Sequence, residues 1–345
     1  MPEKKTKRLS IIIPFYNVEK YIAQCLQSIY AQDISEEDYE VICVNDCSPD
    51  NSREVVLEFQ KEHKNLKLIE HRTNTMQGGA RNTGLRAAQG KYVWFIDSDD
   101  FIKENCLAKL LNILEQRNLD ILRFDFQTVD ENGHCLGADT VNFPANKVTE
   151  GKQVFLHFKD QSDFDNSWRK VTCFTWSRIV KRSFLTDNNI FYYQNFYGED
   201  SPVGVKCYLF AKRFLYLPER VLYYRQRQNS DMQQRYQPEN KGFFYASQYK
   251  TLVETIKIAE TVEDEEVKAI LFKQIKLYAS DEKAGFRFLL SFTPQQRRQF
   301  YEHLKKIDDL RLVFPYIGKK ARFTLISQQG IKLLHGFKNK ITYHL

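Results

Sequence analysis

Three carboxylates fall within four positions directly after an apolar run. The run Tyr92-Val-Trp-Phe-Ile96 leads into Asp97-Ser-Asp-Asp100. Acids this close repel one another, and a divalent cation that prefers oxygen ligands relieves the repulsion. The cluster therefore indicates Mg²⁺ or Mn²⁺ bridging to a diphosphate, with Asp97, Asp99 and Asp100 as ligands. The alternative is a solvated acidic turn that caps the next helix.

A second acidic pair, Glu199 and Asp200, follows Gly198 and precedes an apolar stretch. A carboxylate that faces an acceptor hydroxyl can act as a general base, a role that contributes roughly 10² to 10⁴ in rate. The pattern is also typical of two acids at the start of a helix, where they interact favourably with the helix dipole.

Two earlier apolar runs also end in polar or aromatic residues. The first stops at Pro14-Phe-Tyr-Asn17, and the second stops at Asn45-Asp46. Tyr16 could stack on a planar base, and Asp46 could accept a hydrogen bond from an imide N–H of that base. Taken alone, each has an alternative explanation as a turn or cap residue.

The glycine-rich segment Gln77-Gly-Gly-Ala-Arg-Asn-Thr-Gly84 matches neither a dinucleotide fingerprint nor a P-loop. Hydride transfer and P-loop ATP hydrolysis therefore lose their main sequence support. Arg81, near a helix start, could contact a phosphate, with Gly78 and Gly79 allowing close approach of the backbone. The alternative is a helix entry with an incidental arginine.

The elements that must position these residues alternate between strand and helix. Short apolar runs predict strands at 9–13, 40–45, 66–70, 91–96 and 120–127. Helical spacing predicts a first helix capped by Asn17, and further helices at 77–88 and 103–116. This alternation is typical of an α/β fold with a largely parallel sheet, which places ligands at the carboxyl ends of its strands.

The remainder of the chain differs in composition and in periodicity. Aromatic residues concentrate between 128 and 228, and residues 229–240 are polar enough to be a linker. Helical periodicity follows, and Thr293-Pro294 with Gln296 predicts a helix start with a capping box. The predicted organisation is a catalytic domain at 1–228, a linker at 229–240 and a mainly helical region at 241–345.

In order and spacing, these motifs together resemble family 2 glycosyltransferases of the GT-A fold. The resemblance covers roughly residues 9–228. It rests on the following five segments: Ser10–Asn17, Val44–Asp50, Gly79–Gly84, Asp97–Asp100 and Gly198–Asp200. It implies a Rossmann-like mixed sheet flanked by helices, with a helical C-terminal region.

The resemblance implies inverting transfer of a sugar from a nucleoside-diphosphate sugar, usually UDP-linked, to an acceptor hydroxyl. Asp200 then corresponds to the base and Glu199 to its support, while Asp97, Asp99 and Asp100 hold the Mg²⁺ or Mn²⁺ ion. Nucleotide-binding positions are implied at Pro14, Tyr16, Asn17, Asp46, Arg81, Asp97 and Arg225. Trp176 and Tyr197 are candidates for stacking on acceptor sugars, with core packing as their alternative role.

One feature of the sequence departs from the family pattern, and another narrows the kind of transfer that the resemblance implies. Cys47 stands where the family commonly has glycine, and the QxxRW motif of processive synthases is absent. No apolar run approaches the roughly 20 residues of a membrane span. We therefore expect the addition of one sugar per encounter to a glycan or lipid-linked saccharide acceptor, in bacterial surface polysaccharide assembly.

The positive charge of the chain is concentrated at its end. The net charge is +7, and residues 310–345 hold seven Lys or Arg and no acid. A neutral body argues against nucleic acid as a partner, whereas the basic, partly apolar tail could bind an anionic membrane surface. Seven cysteines without metal-site spacing favour the reduced cytoplasm. We expect a cytoplasmic enzyme whose tail either lies on the inner face of the cell membrane or is solvated or packed against the protein itself.

Two rival functions remain open at this point. A sugar nucleotidyltransferase would share the sheet and the metal, but its early glycine-rich loop with Arg and Lys is missing where Pro14-Phe-Tyr16 stands. A non-catalytic binding or scaffold protein of the same fold is expected to lose an acid from one of the two acidic motifs, yet both motifs are intact.

Overall fold

A computed structural model describes residues 6–159, 173–228, 230–280 and 292–317. The chain divides into two compact units. The first comprises Met1–Asn195 with Glu199–Gln228, and the second comprises Phe196–Gly198 with Asn229–Leu345.

The first unit is built on one mixed sheet. In the described residues its strands are β1 (Leu9–Phe15), β2 (Tyr39–Asn45), β3 (Leu66–Glu70), β4 (Tyr92–Phe95), β5 (Phe101–Ile102), β6 (Ile121–Val129), β7 (Cys135–Asp139), β8 (Arg178–Lys181) and β9 (Phe214–Arg225). Their order is β3-β2-β1-β4-β8-β6-β9-β5, with β7 paired to β6. Strands β1 to β4 run parallel, whereas β8 is antiparallel to β4 and β6. The predicted α/β class is confirmed.

Helices flank this sheet. They are α1 (Ile22–Tyr30), α2 (Ser52–Glu62), α3 (Met76–Ala87), α4 (Leu107–Gln116), α5 (Gln153–Phe158), α6 (Arg182–Asp187) and α7 (Asp200–Phe210). The predicted cap at Asn17 is wrong. A turn in which the Val18 carbonyl accepts from the amides of Tyr21 and Ile22 precedes α1, and Asn17 lies before it at φ 55°.

The two faces of β1 receive different helices because successive strand residues point to opposite sides. Ile11 and Ile13 belong to the apolar core that includes Leu26 of α1. Ile12 faces the other side, where a Cβ on Gly84 would overlap its side chain. The absence of a side chain at Gly84 therefore lets α3 lie directly against β1, which brings α3 close to the edge where the acidic motifs begin.

The second unit is helical. Its described elements are α8 (Asp231–Gln234), α9 (Lys241–Glu260), α10 (Glu265–Ser280), α11 (Pro294–Leu304) and a 3₁₀ helix at Leu310–Tyr316. Thr293 caps α11 with the predicted capping box to Gln296, so the helical character predicted for this region is confirmed. Of the predicted basic tail, residues 318–345 lie outside the described residues.

No helix within the described ranges combines the length and the apolar character that crossing a membrane requires.

Candidate active site

The ends of β1, β2 and β4 meet at one edge of the sheet. The amide of Asp46 donates to the Phe15 carbonyl at 3.1 Å, and the amide of Ile96 donates to the Ile12 carbonyl at 3.0 Å. The loops after β1 and β2 are tied together by a bond from the Asn17 amide to Ser48 Oγ at 2.8 Å. The polar residues that follow these three strands therefore share one rim.

Asp46 is held in place by His71 and Thr75. Its side chain is almost buried, and its Oδ1 lies 2.7 Å from Nδ1 of His71. The Thr75 amide and hydroxyl donate to the same oxygen at 2.9 and 3.0 Å. The other ring nitrogen of His71 lies 2.9 Å from Oγ1 of Thr83 in α3. The carboxylate is thus oriented before any ligand binds.

The residues predicted beside Asp46 occupy different environments. Pro14 lies in β1 in register with Val44 of β2. Tyr16, one residue beyond β1, is 44% exposed, so it can offer a ring to a planar ligand. Asn17 has a left-handed backbone and an exposed side chain.

Asp97 is joined to the second acidic motif by an arginine. Nη2 of Arg81 lies 2.8 Å from Oδ1 of Asp97, and Nη1 lies 2.6 Å from Oε1 of Glu199. The three side chains come from the middle of α3, the loop after β4 and the residue before α7. Asp200 is the first residue of α7 and is half-buried.

The other two acids after β4 meet the end of β9. Asp99 Oδ2 accepts from Nε of Arg227 at 2.7 Å, and Asp100 Oδ1 accepts from the Arg225 amide at 2.8 Å. The Arg225 guanidinium donates from Nε to the carbonyl of Asp99 at 2.8 Å. Burial raises the pKa of Asp99, and burial with the neighbouring carboxylates raises the pKa of Asp100 well above its ordinary value.

These acids suit a hard divalent cation by ligand type, since carboxylate oxygens are what Mg²⁺ and Mn²⁺ prefer. Oδ2 of Asp100 is buried without a hydrogen-bond partner, which leaves one oxygen available to a cation. Among the described residues, no group of three or more His, Cys, Asp or Glu side chains has the spacing of a metal site. In this arrangement the guanidinium groups of Arg81 and Arg227 compensate the negative charge of Asp97 and Asp99.

The two acceptor candidates lie in aromatic clusters. Trp176 is 5% exposed, and its ring is stacked with Phe174 and Tyr224 at centroid distances of 5.0 and 5.2 Å. This packing already uses the ring, and a role in sugar stacking stays a prediction. Tyr197 belongs to the second unit, where its ring contacts Phe243 at 5.3 Å.

Sequence reasoning missed two residues and misjudged a third. His71 directly follows β3. The same attention to polar residues that follow parallel strands, which identified Asp46 and Asp97, could have identified it. Arg227 lies two positions beyond the predicted Arg225, and its pairing with Asp99 across 128 positions gives no local signal. Gly78 was expected to make room for a phosphate, and this is wrong, because a Cβ there would overlap the Tyr193 carbonyl oxygen. The space is filled by the protein's own chain.

Comparison with known proteins now places the chain in a family. Residues 10–173 match the family model described as glycosyl transferase family 2. The chain belongs to glycosyl transferase family 2. Its sequence is 30% identical over 233 residues to the uncharacterized glycosyltransferase EpsJ of Bacillus subtilis, which spans 67% of this chain and 64% of EpsJ.

Two other similar proteins carry more specific names. The poly(ribitol-phosphate) beta-glucosyltransferase of Bacillus spizizenii is 29% identical over 89% of this chain and 48% of its own length. The structure of Staphylococcus aureus TarS 1-349 in complex with UDP-GlcNAc is 26% identical, with a TM-score of 0.67, and covers 93% of this chain and 89% of that one. The GT-A fold of this family 2 member is thereby confirmed. The chain spans less than two thirds of the length of EpsJ and of the glucosyltransferase.

Proposed function

We propose that this family 2 member is an inverting glycosyltransferase that moves a sugar from a UDP-sugar to a hydroxyl of a glycan or lipid-linked glycan in bacterial surface polysaccharide assembly. The observation that carries the proposal is the shared rim. Asp46 and Asp97 follow β2 and β4, the two parallel strands that flank β1. Both connect to α3, Asp46 through His71 to Thr83 and Asp97 directly to Arg81.

The nucleoside would bind at the Asp46 side of the rim. Asp46 would accept the imide N–H of uracil, and the exposed ring of Tyr16 would stack on the base. The TarS structure in complex with UDP-GlcNAc supports a donor of this kind. The relative named for poly(ribitol-phosphate) supports a cell-surface polymer as the acceptor class.

The diphosphate would lie at the Asp97–Asp100 side. There Asp97, Asp99 and Asp100 would hold Mg²⁺ or Mn²⁺, and a bound ion would stabilise the negative charge that develops on the leaving diphosphate. The guanidinium of Arg227, now paired with Asp99, lies beside the same acids and could contribute positive charge.

The acceptor would bind where Asp200 can take the proton of its hydroxyl. Asp200 begins α7, and Glu199 before it is fixed by Arg81. A base at this point would act on the acceptor hydroxyl as its oxygen attacks the anomeric carbon from the face opposite the leaving diphosphate, which gives inversion.

The test is the replacement Asp200→Asn, which keeps the size of the side chain and removes the base. We expect transfer from UDP-sugars, assayed as a panel with Mg²⁺ or Mn²⁺, to fall by a factor of about 10² to 10⁴, while calorimetry shows unchanged UDP affinity. The matched control Asp187→Asn makes the same change on the exposed end of α6 and should keep full activity. Full activity of Asp200→Asn would place the base elsewhere.

A further inference from the structure

A buried arginine in α3 contacts two acids of the proposed site at once. Arg81 is 3% exposed, and its two terminal nitrogens lie 2.8 Å from Asp97 and 2.6 Å from Glu199. Gln77, one turn earlier in the helix, accepts a further bond from Nη2 at 3.1 Å. One guanidinium thus joins the acid after β4 to the acid before α7.

The positive charge of Arg81 is compensated by two carboxylates of the protein itself. Burial alone would lower the pKa of Arg81, but the carboxylates of Asp97 and Glu199 more than offset this and raise the pKa above its ordinary value. The ring of Tyr192 lies 5.3 Å from the guanidinium carbon and helps to enclose it. A diphosphate arriving from solvent would have to displace a carboxylate to reach this guanidinium.

Neighbouring residues of α3 fix the same segment before α7. Nδ2 of the Asn82 side chain donates to the Tyr192 carbonyl at 2.7 Å, and Oδ1 of the same side chain accepts from the backbone amide of Tyr192 at 2.8 Å. Gly78 allows the Tyr193 carbonyl to approach the helix, and a Cβ there would lie 3.1 Å from Cγ of Glu199. Three of five consecutive positions of α3 therefore contact residues 192–199.

We infer that Arg81 is a positioning residue, which sets Glu199, and with it Asp200, relative to Asp97, and that it does not bind the donor diphosphate. Gly78 and Asn82 support it by fixing the chain before Glu199. The inference rests on the proposed function, because it assigns a purpose to Asp97 and Asp200. A misplacement of about 1 Å between reacting groups can cost about 100-fold in rate, so a rigid bridge between the two acids has a direct catalytic value.

A double-mutant cycle in kcat tests this role with Arg81→Met, Glu199→Gln and the combined variant. We expect about 100-fold loss for Arg81→Met and about 10-fold for Glu199→Gln. Residues that act as a unit are non-additive. The kcat of the combined variant should therefore fall by about 100-fold. Glu199→Gln adds no further loss, because it removes the carboxylate that Arg81→Met leaves unpaired. A loss near the product, about 1,000-fold, would overturn the inference.

Nucleotide binding gives a second, independent test. The measurement is made with EDTA in place of the metal, so that Asp97 cannot act on the diphosphate through an ion. If Arg81 acts only through Asp97 and Glu199, Arg81→Met should then change the dissociation constants of uridine and UDP by the same factor in calorimetry. A rise of more than about tenfold for UDP with uridine unchanged would mean a lost contact worth about 1.4 kcal/mol to the phosphates, and would also overturn the inference.

Controls separate this inference from the proposed function. Arg86→Met changes an exposed arginine of the same helix and should leave kcat within about twofold. If Arg81→Met does not fold, Arg81→Lys replaces it in both tests, since an ammonium lacks the rigid planar fork with which the guanidinium holds both carboxylates. A wild-type chain that neither binds UDP nor transfers sugar would contradict the proposed function, whereas an active wild type with a multiplicative cycle would contradict only the role of Arg81.

Discussion

The carboxylates that follow β2 and β4, the two strands that flank β1, are compensated in different ways. After β2, Asp46 receives hydrogen bonds from an imidazole, a hydroxyl and a backbone amide. After β4, Asp97 and Asp99 are paired with the guanidinium groups of Arg81 and Arg227. The first arrangement fixes the orientation of Asp46 by hydrogen bonds, which suits an uncharged planar ligand. In the second, Asp99 suits exchange of charged partners, since an incoming cation can replace its ion pair with Arg227.

This contrast predicts that substitutions at the two ends affect different parts of a UDP molecule. A change at the end of β2 should affect uridine and UDP equally, because both contain the base. A change at the end of β4 should affect UDP alone, because only UDP carries the diphosphate.

The largest effect is expected for Asp99→Asn. Loss of this carboxylate removes a proposed ligand of the divalent ion, whose charge stabilisation is worth several kcal/mol, so transfer should fall by about 100-fold or more. Calorimetry with and without Mn²⁺ should show that the metal no longer strengthens UDP binding, while uridine binds as in the wild type. Metal-enhanced UDP binding that persists in this variant would remove Asp99 from the metal site.

A smaller effect is expected for Asp46→Asn. A hydrogen bond to a charged group contributes about 1.5–3 kcal/mol, so uridine and UDP should both bind about 10- to 100-fold more weakly. The dependence of UDP binding on Mn²⁺ should remain. Weakened UDP binding with unchanged uridine binding would contradict the contrast between the two strand ends.

The smallest effect is expected at Asp50, which is held by hydroxyls and amides like Asp46 but serves only to join two loops. Burial raises the pKa of Asp50, but bonds from Ser48, Ser52 and the Glu19 amide outweigh it and lower the pKa below its ordinary value. A lowered folded-state pKa stabilises the fold above the unfolded value, about 3.9, and this stability is lost as pH falls through the folded-state pKa.

Asp50→Asn should therefore lower the free energy of unfolding by about 1 kcal/mol at pH 7, with the difference shrinking below about pH 4. Urea titrations at pH 7 and pH 3.5 measure it, and Asp187→Asn serves again as the exposed control. A difference that grows towards low pH would contradict the proposed role of the bonds to Asp50.

How far the sequence could predict the site depended on the distance between partners along the chain. The acids at 97–100 and the tyrosine at 16 were found because each follows a strand whose apolar run is visible locally. The bond between Arg81 and Glu199 spans 118 positions, and no local pattern reports it. The predicted phosphate contact of Arg81 was the simplest interpretation of an arginine near a helix start when its partners were unknown.

The sequence by itself determined which residues could do chemistry and at which strand ends they lie, because strand periodicity and the short segments after it are local properties of the chain. The tertiary structure decided which charges are paired. The approach of α3 to β1 over Gly84, and of the β9 end to the acids after β4, brings arginines and carboxylates together from distant segments. Pairing depends on distances of a few ångströms in space, and only the packed sheet and its helices set those distances.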